Sequence, residues 1–304
     1  MEIKTFKSST GASLHTYMFV PLGRVRGIIQ INHGMVEHAG RYFRFAKKCV
    51  DAGYGVFAHD MRGHGKTVAK DAPLGVFGET NGLELVVDDI NFMVEHINQK
   101  YEGVPLICFG HSLGAMLAVA YSIKYPTKVS ALVCWNKQEA GLLGRLGQLL
   151  LLIEKQIRNP LQASLIAHRI SFGSWNSKFR PNRTANDWIS RDNKEVDIYT
   201  ADSLCGFDTS ISMWLEVIQG FFLTSKLNYL KALPKDLPVH IYGGEKDPST
   251  NYGRDVKKFE FKLRSIGIKD VTCEVLRDTR HETLNELNRD QSTTKFINWL
   301  DMRF

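Results

Sequence analysis

The chain has 304 residues, 43% of them hydrophobic, 23% charged and 11% aromatic. That is ample for a buried core and excludes disordered, collagenous and low-complexity classes. Lysine and arginine number 39 against 32 aspartates and glutamates, a formal net charge of +7, which permits acidic partners or membrane surfaces without requiring either.

In chain order, residues 2–8 and 14–21 read as an antiparallel pair joined across Thr10-Gly11. A short apolar run at 27–32 ends in His33-Gly34. Residues 41–52 then carry helical spacing, with Phe43, Ala46 and Val50 in phase. The strand at 54–59 leads into the loop Asp60-Met61-Arg62-Gly63-His64-Gly65. An amphipathic helix at 83–99, a buried strand at 105–109, a helix at 112–124 stopped by Pro126 and a strand at 129–135 follow. Strands alternating with helices in this way predict a mainly parallel sheet covered on both faces. From 136 to 227 the alternation stops, and the stretch holds helical segments including 142–157 and 210–224. It resumes with strands at 239–242 and 271–276, and helices at 253–266 and 282–300. The expected organisation is a core of residues 1–135 and 228–304, with eight strands, and a helical cap of residues 136–227 inserted after the sixth strand.

Five cysteines (Cys49, Cys108, Cys134, Cys205 and Cys273) are scattered without a C-x-x-C pair. That pattern argues against a disulfide framework or a structural zinc site. The first residues, Met1-Glu2-Ile3-Lys4-Thr5, carry no apolar run, and no uncharged segment reaches the roughly 18 residues that span a bilayer. The expectation is a soluble, cytoplasmic protein.

The chemistry centres on Gly110-His111-Ser112-Leu113-Gly114, a G-x-S-x-G turn between a buried strand and a helix. Small residues let the backbones approach, the serine stands proud of the sheet, and amides at the helix start can stabilise an anion. A serine hydroxyl needs a general base, and the base needs an orienting carboxylate. Around such an elbow the order is serine, then acid, then histidine. Downstream of Ser112 stand only His168, in the helical insert, His240, inside a strand, and His281, which is expected to open the last helix. His281 is therefore the candidate base. The loop Gly243-Gly244-Glu245-Lys246-Asp247-Pro248 offers Glu245 or Asp247, with Asp247 preferred; Asp278, beyond the wrong strand, is the weaker alternative. The oxyanion donors would be the amide of Leu113 and, from His33-Gly34-Met35, that of Met35. His33 itself is expected to brace its loop.

Five further stretches fit together: His33-Gly34-Met35-Val36-Glu37-His38 with Arg41-Tyr42, Asp60 to Gly65, Gly110 to Gly114, Gly244-Glu245-Lys246-Asp247-Pro248 and His281-Glu282-Thr283-Leu284-Asn285-Glu286. With them the sequence resembles the serine α/β-hydrolases of the monoacylglycerol lipase and bacterial lysophospholipase group. Part of the insert, Arg183-Thr184-Ala185-Asn186-Asp187-Trp188-Ile189-Ser190-Arg191-Asp192, also resembles bacterial members. The resemblance implies an α/β-hydrolase fold, Ser112 as nucleophile, Asp247 as orienter, His281 as base, and Met35 and Leu113 as oxyanion donors. It implies hydrolysis of mono-acyl lipid esters, monoacylglycerol or lysophospholipid, with no cofactor and no metal. An amidase or N-acyl hydrolase, or a general carboxylesterase, uses the same triad; a non-catalytic binding module is the reading furthest from it. One departure stands out: Trp135-Asn136-Lys137 follows the sixth strand where relatives run into small residues, which is expected to put a ring and a cation near the pocket mouth.

Two motifs are decoys. Gly63-His64-Gly65-Lys66-Thr67 ends like a phosphate loop but has Asp60 where the first glycine belongs, and His281-Glu282 reaches Asn285 where a zinc protease has its second histidine. Cations neither form a run nor interleave with aromatics, so no nucleic-acid partner is expected. The apolar stretch 142–153, bordered by Arg145, Lys155 and Arg158, would pack on the sheet, line an acyl tunnel or meet a membrane surface transiently.

Overall fold

The structure is a computed structural model that describes residues 1–304. Its strands are β1 (Glu2–Lys7), β2 (Ser13–Phe19), β3 (Gly27–Asn32), β4 (Tyr54–His59), β5 (Leu106–His111), β6 (Ala131–Trp135), β7 (Val239–Gly244) and β8 (Val271–Leu276). They form one sheet in the order β1-β2-β4-β3-β5-β6-β7-β8. β1 and β2 pair antiparallel, β2 meets β4 antiparallel, and every other pairing is parallel. Strands β3 to β7 are buried at every position, which is why they read as continuous apolar runs instead of alternating ones.

Flanking helices α1 (Phe43–Asp51), α2 (Gly82–Lys100) and α3 (Leu113–Lys124) follow β3, β4 and β5. Between β6 and β7 lie helices only, chiefly α4 (Leu142–Ile157), α5 (Asn193–Ala201) and α6 (Ile211–Thr224). Then α7 (Arg254–Ser265) follows β7 and α8 (Arg289–Asp301) closes the chain. Apolar side chains form two large clusters. One runs from Leu14 and Phe57 through the buried face of α3 to Phe259, and the other joins Tyr42, Phe45, Phe109, Trp135 and Phe296. No helix is long and apolar enough to cross a membrane.

Register decides where chemistry can sit. Asn32 pairs with Gly110, Gly110 with Cys134, Cys134 with Ile241 and Ile241 with Cys273. The carboxyl ends of five parallel strands thus finish along one edge, and the loops after them share one rim. Strand β3 lies between β4 and β5, so the chain turns one way after β3 and the other after β4. Open parallel sheets bind ligands at such a reversal.

One element departs from the sequence reading. Residues 282–288 do not begin the last helix: a single 3-10 turn at Thr283–Asn285 precedes α8, which starts at Arg289. The cause is competition for side chains. Glu282 is held by Arg41, and Glu286 accepts from the Arg280 and Arg191 backbone amides and from the Arg191 side chain, which bends the chain back over the sheet rim.

His240 is a packed residue, accepting from Trp135 Nε1 at 3.1 Å. Burial holds it and two loop or strand-end histidines neutral: the pKa of His59 and of His64 is pushed down to about 4 and that of His240 to about 3, from 6.5. Below pH 6.5 the unfolded chain binds protons at these sites that the folded chain refuses, so stability falls with pH. His111, whose pKa is raised, acts oppositely: its contribution is complete below pH 6.5 and is lost as pH rises through the folded value. Each such group steepens the fall by at most about 1.4 kcal/mol per pH unit between its folded and unfolded pKa. Urea unfolding at steps from neutral pH to about 5 should show that fall; a flat profile would show that the histidines charge inside the folded protein.

Candidate active site

Ser112 sits between β5 and α3 at φ 54°, ψ −116°, a left-handed conformation that non-glycine residues adopt only when neighbours enforce it. Two glycines make the turn sterically accessible. A Cβ on Gly110 would lie 2.0 Å from the Gly114 carbonyl oxygen, and one on Gly114 would lie 2.0 Å from that of Asn32. The Ser112 amide donates to the Trp135 carbonyl at 2.8 Å, tying the turn to β6. Its hydroxyl has no hydrogen-bond partner within the protein and belongs to a pocket wall shared with His281, Met35 and Leu113. The amides of Met35 and Leu113 likewise donate to no protein group, so two unpaired N–H groups border the space beside Ser112. That is the arrangement an oxyanion hole requires.

His281 and Asp247 come together at 2.9 Å, Nδ1 to Oδ2. Asp247, fully buried, also accepts from Asn136 Nδ2 at 2.9 Å, from the Ser249 amide at 2.9 Å and from Ser249 Oγ at 2.7 Å. Burial raises its pKa, but the His281 ring and the bonds from Asn136 and Ser249 outweigh that and leave it below the ordinary aspartate value. Ser249 Oγ also lies 2.9 Å from His281 Nδ1. With its proton given to Asp247, the hydroxyl oxygen shares the Nδ1–H with the carboxylate. The network therefore assigns the ring proton to Nδ1 and leaves Nε2 as the basic nitrogen. Trp188 covers one side of the ring at 4.7 Å between centroids and His111 approaches at 4.9 Å.

The alternative acids lie elsewhere. Glu245 and Asp278 are exposed and meet surface partners: Glu245 Oε2 accepts from the Asp278 amide at 3.1 Å and lies 3.9 Å from Lys246 Nζ, and Asp278 Oδ2 lies 3.6 Å from Arg277 Nε. His168 packs on Phe172 in the insert. His33 braces its loop, with Nδ1 on the Gly34 carbonyl at 2.7 Å and Nε2 accepting from the Met61 amide at 3.0 Å. The expectation for Trp135-Asn136-Lys137 is corrected. Trp135 points into the core beneath the sheet rim, against Phe45, Phe109 and Tyr242. Lys137 is buried over the Phe259 ring and paired with Glu139 at 2.9 Å. Neither reaches the pocket mouth, because both are consumed by buried partners; the residue between them, Asn136, turns at φ 55° to meet Asp247.

Below the rim an ionic network joins the pieces. Arg41 Nη1 donates to Glu37 Oε2 at 2.6 Å, and Arg41 grips both oxygens of Glu282 at 2.5 and 2.6 Å. Glu37 Oε1 accepts from the Gly34 amide at 2.6 Å and from the Tyr42 hydroxyl at 2.9 Å. His111 lies 3.5 Å from Glu37 and holds the His281 carbonyl at 3.1 Å. Segment 187–192 clamps the same loop: the Glu282 amide donates to the Ile189 carbonyl at 2.7 Å and Ser190 Oγ to the Asn285 carbonyl at 2.7 Å. Asn136, Ser249 and Trp188 escaped the sequence reading as site residues. Only Trp188 carried a signal, in the 183–192 stretch, and the other two are legible only through strand register.

The small pocket beside Ser112 shares a wall of Gln138, Trp175, Trp214, Val217 and Phe221 with a chamber of about 480 Å³ under α4 and α6. No lysine or arginine lines either space.

The Hydrolase_4 family (Serine aminopeptidase, S33) matches residues 23–288. Among curated proteins, the monoglyceride lipase of Mus musculus is 27% identical over 286 residues, covering 92% of this chain and 83% of that one. The monoacylglycerol lipase of Mycolicibacterium smegmatis is 36% identical over 108 residues, and the match spans only 36% of either chain. Among solved structures, a thermostable carboxyl esterase from Bacillus coagulans in complex with glycerol superposes with a TM-score of 0.91 at 24% identity, covering 99% of this chain and 98% of that one. A monoglyceride lipase variant from Saccharomyces cerevisiae gives 0.77 at 20% identity, covering 99% and 94%. With the family match spanning both the elbow and the His281 loop, the chain belongs to the Hydrolase_4 family and is a hydrolase of the α/β-hydrolase fold.

Proposed function

We propose that the protein is a serine esterase acting on mono-acyl lipid esters with a small neutral alcohol, of the monoacylglycerol type. The observation that carries this reading is the wall that the Ser112 pocket, with its two unpaired amides, shares with a largely apolar 480 Å³ chamber of a size suited to a lipid-like ligand. Ser112 Oγ attacks the ester carbonyl while His281 Nε2 takes its proton. The negative oxygen rests on the Met35 and Leu113 amides, and Asp247 stabilises the imidazolium. Collapse expels the alcohol, which receives the proton from His281. Water, deprotonated by the same nitrogen, then attacks the acyl-Ser112 carbonyl and releases the fatty acid and free serine.

Walls of Leu151, Ile170, Trp214, Ile218 and Phe222 support an acyl chain in the chamber. The missing cations weigh against a phosphate head group, because an anion moved there would lose its water without gaining a partner. A monoacylglycerol therefore fits better than a lysophospholipid. The relatives named monoglyceride lipase and the esterase with bound glycerol lie in the same direction. In this reading residues 136–227 are a cap over the core of residues 1–135 and 228–304. Five unpaired cysteines agree with a cytoplasmic setting. The cap would also touch lipid surfaces: Leu142, Leu143, Leu146, Leu149, Ile153 and Ile157 are exposed along α4, with Arg145 and Lys155 beside them.

A panel of esters with rising acyl length and glycerol, phosphocholine or simple alcohol leaving groups tests the assignment. The native enzyme should prefer the glycerol ester of a medium or long chain, at least about tenfold over its lysophospholipid counterpart. Ser112→Ala should lose roughly four orders of magnitude or more in kcat and escape labelling by a fluorophosphonate. Ester hydrolysis that survives Ser112→Ala would overturn the mechanism, and matched amides cleaved faster than esters would overturn the class. For the lipid contact, hydrolysis in anionic vesicles should fall with added salt while that of a soluble short ester holds. An equal response of both would leave the +7 as surface solvation.

A further inference from the structure

Away from the Ser112 pocket, three chemically matched ligands meet where the β6–β7 insertion touches the loop after β3. The atoms that His38, Asp202 and Cys205 can offer a metal lie within 4.8 Å of one another. His38 Nε2 and Asp202 Oδ2 are already 2.9 Å apart, and tetrahedral coordination at ordinary zinc distances would separate them to about 3.3 Å. His38 Nδ1 is buried without a partner, so this contact is the ring's one polar anchor.

Local backbone prepares the other two groups. Asp202 to Cys205 is one tight turn, closed by the Cys205 amide on the Asp202 carbonyl at 3.0 Å and by the Leu204 amide on Asp202 Oδ1 at 2.8 Å. Gly206 follows at φ +65°. Two ligands three residues apart on a turn is the spacing by which one loop commonly reaches zinc. A search for cysteine pairs passes over the site because its ligands are of three kinds and His38 is 164 residues away from Asp202. Charge also matches: the Asp202 carboxylate and a Cys205 thiolate balance a dication. Neighbouring charges are otherwise committed, Asp60 to the Ala39 and Lys66 amides and Arg41 to Glu37 and Glu282. Asp202 is 31% exposed and gives an ion its way in.

The geometry points to a site for a divalent transition metal of the zinc class, held by His38, Asp202 and Cys205 with water in the fourth position. On binding, the Cys205 thiol releases its proton to solvent and the sulfur–metal bond takes its place, with no change of oxidation state. The ion would pin the insertion to the core beside Val36, whose carbonyl already accepts from the Gly206 amide at 2.8 Å and the Tyr199 hydroxyl at 3.0 Å. Val36 adjoins Met35, so the ion acts as a clasp on the loop that carries an oxyanion amide.

Chelator-treated, full-length protein titrated with Co²⁺ reads the site directly through the thiolate-to-cobalt charge-transfer band in the near ultraviolet. A band saturating at one equivalent and bleached by Zn²⁺ is expected. Cys205→Ser should abolish it, and His38→Ala and Asp202→Asn should each weaken affinity at least about tenfold. Cys273→Ser, at the half-buried cysteine on β8, should leave it unchanged. Zn²⁺ should raise the melting temperature of the native protein and not that of Asp202→Asn, a change on an accessible turn that preserves the fold even if Cys205→Ser does not. Absence of the band, or a band that persists in Asp202→Asn with native affinity, would overturn the site.

Discussion

The guanidinium of Arg41 between Glu37 and Glu282 is the interaction on which the site depends. Through Glu37 it reaches the Gly34 amide and hence the loop that carries the Met35 N–H. Through Glu282 it reaches the residue next to His281. His111 adds the elbow, touching Glu37 on one side and the His281 carbonyl on the other. The segments that carry Met35, Ser112 and His281 follow three strands far apart in sequence, and one buried cation indexes them. Two carboxylates against one guanidinium leave surplus negative charge, and this accounts for the electrostatics. Burial would lower the His111 pKa, but Glu37 outweighs it and raises it; burial would raise that of Glu37, but Arg41 and His111 drive it well below the ordinary value. Such networks contribute little net stability, since desolvation offsets attraction, yet removing one member strands the others at about 3–5 kcal/mol. Their value here is geometric.

Strain and burial share that logic. Ser112 is held at positive φ because Gly110 and Gly114 let α3 and β3 close on it. Asp247 stays charged in a fully buried position because four donors converge on it: the Asn136 side chain, the Ser249 amide and hydroxyl, and His281. Each arrangement is costly alone and stable only as part of the rim. The insertion supplies the remaining constraint by laying Trp188 on the His281 ring and hydrogen-bonding the 282–285 turn.

Much of this was legible in the chain. Fully buried parallel strands announce themselves as short apolar runs, and β3, β4 and β8 fall where periodicity puts them. Gly110 to Gly114 is legible because the turn's sterics restrict its composition. What escaped depends on pairing between distant segments. Asn136 looked like part of a disruptive tripeptide until the β6–β7 register placed it beside Asp247. Lys137 read as a cation near the pocket mouth, yet it is buried with Glu139. Residues 282–288 have helical composition, but Arg41 and Arg191 claim the two glutamates and pull the turn out of the helix. Helix α4 shows the same limit, for its sequence does not say that Leu151 faces inward while Leu143 and Ile157 face solvent.

If one buried cation indexes the site, replacing it should damage turnover more than it damages the fold. Arg41→Met keeps an unbranched apolar stem and removes both ion pairs. The decisive measurement is kcat of this variant on a soluble short-chain ester, taken where circular dichroism shows it folded. Displacing catalytic groups by about an ångström is worth on the order of 10²-fold in rate, so a fall in kcat of that size with a smaller change in KM is predicted. A folded Arg41→Met protein turning over at the native rate would contradict the account.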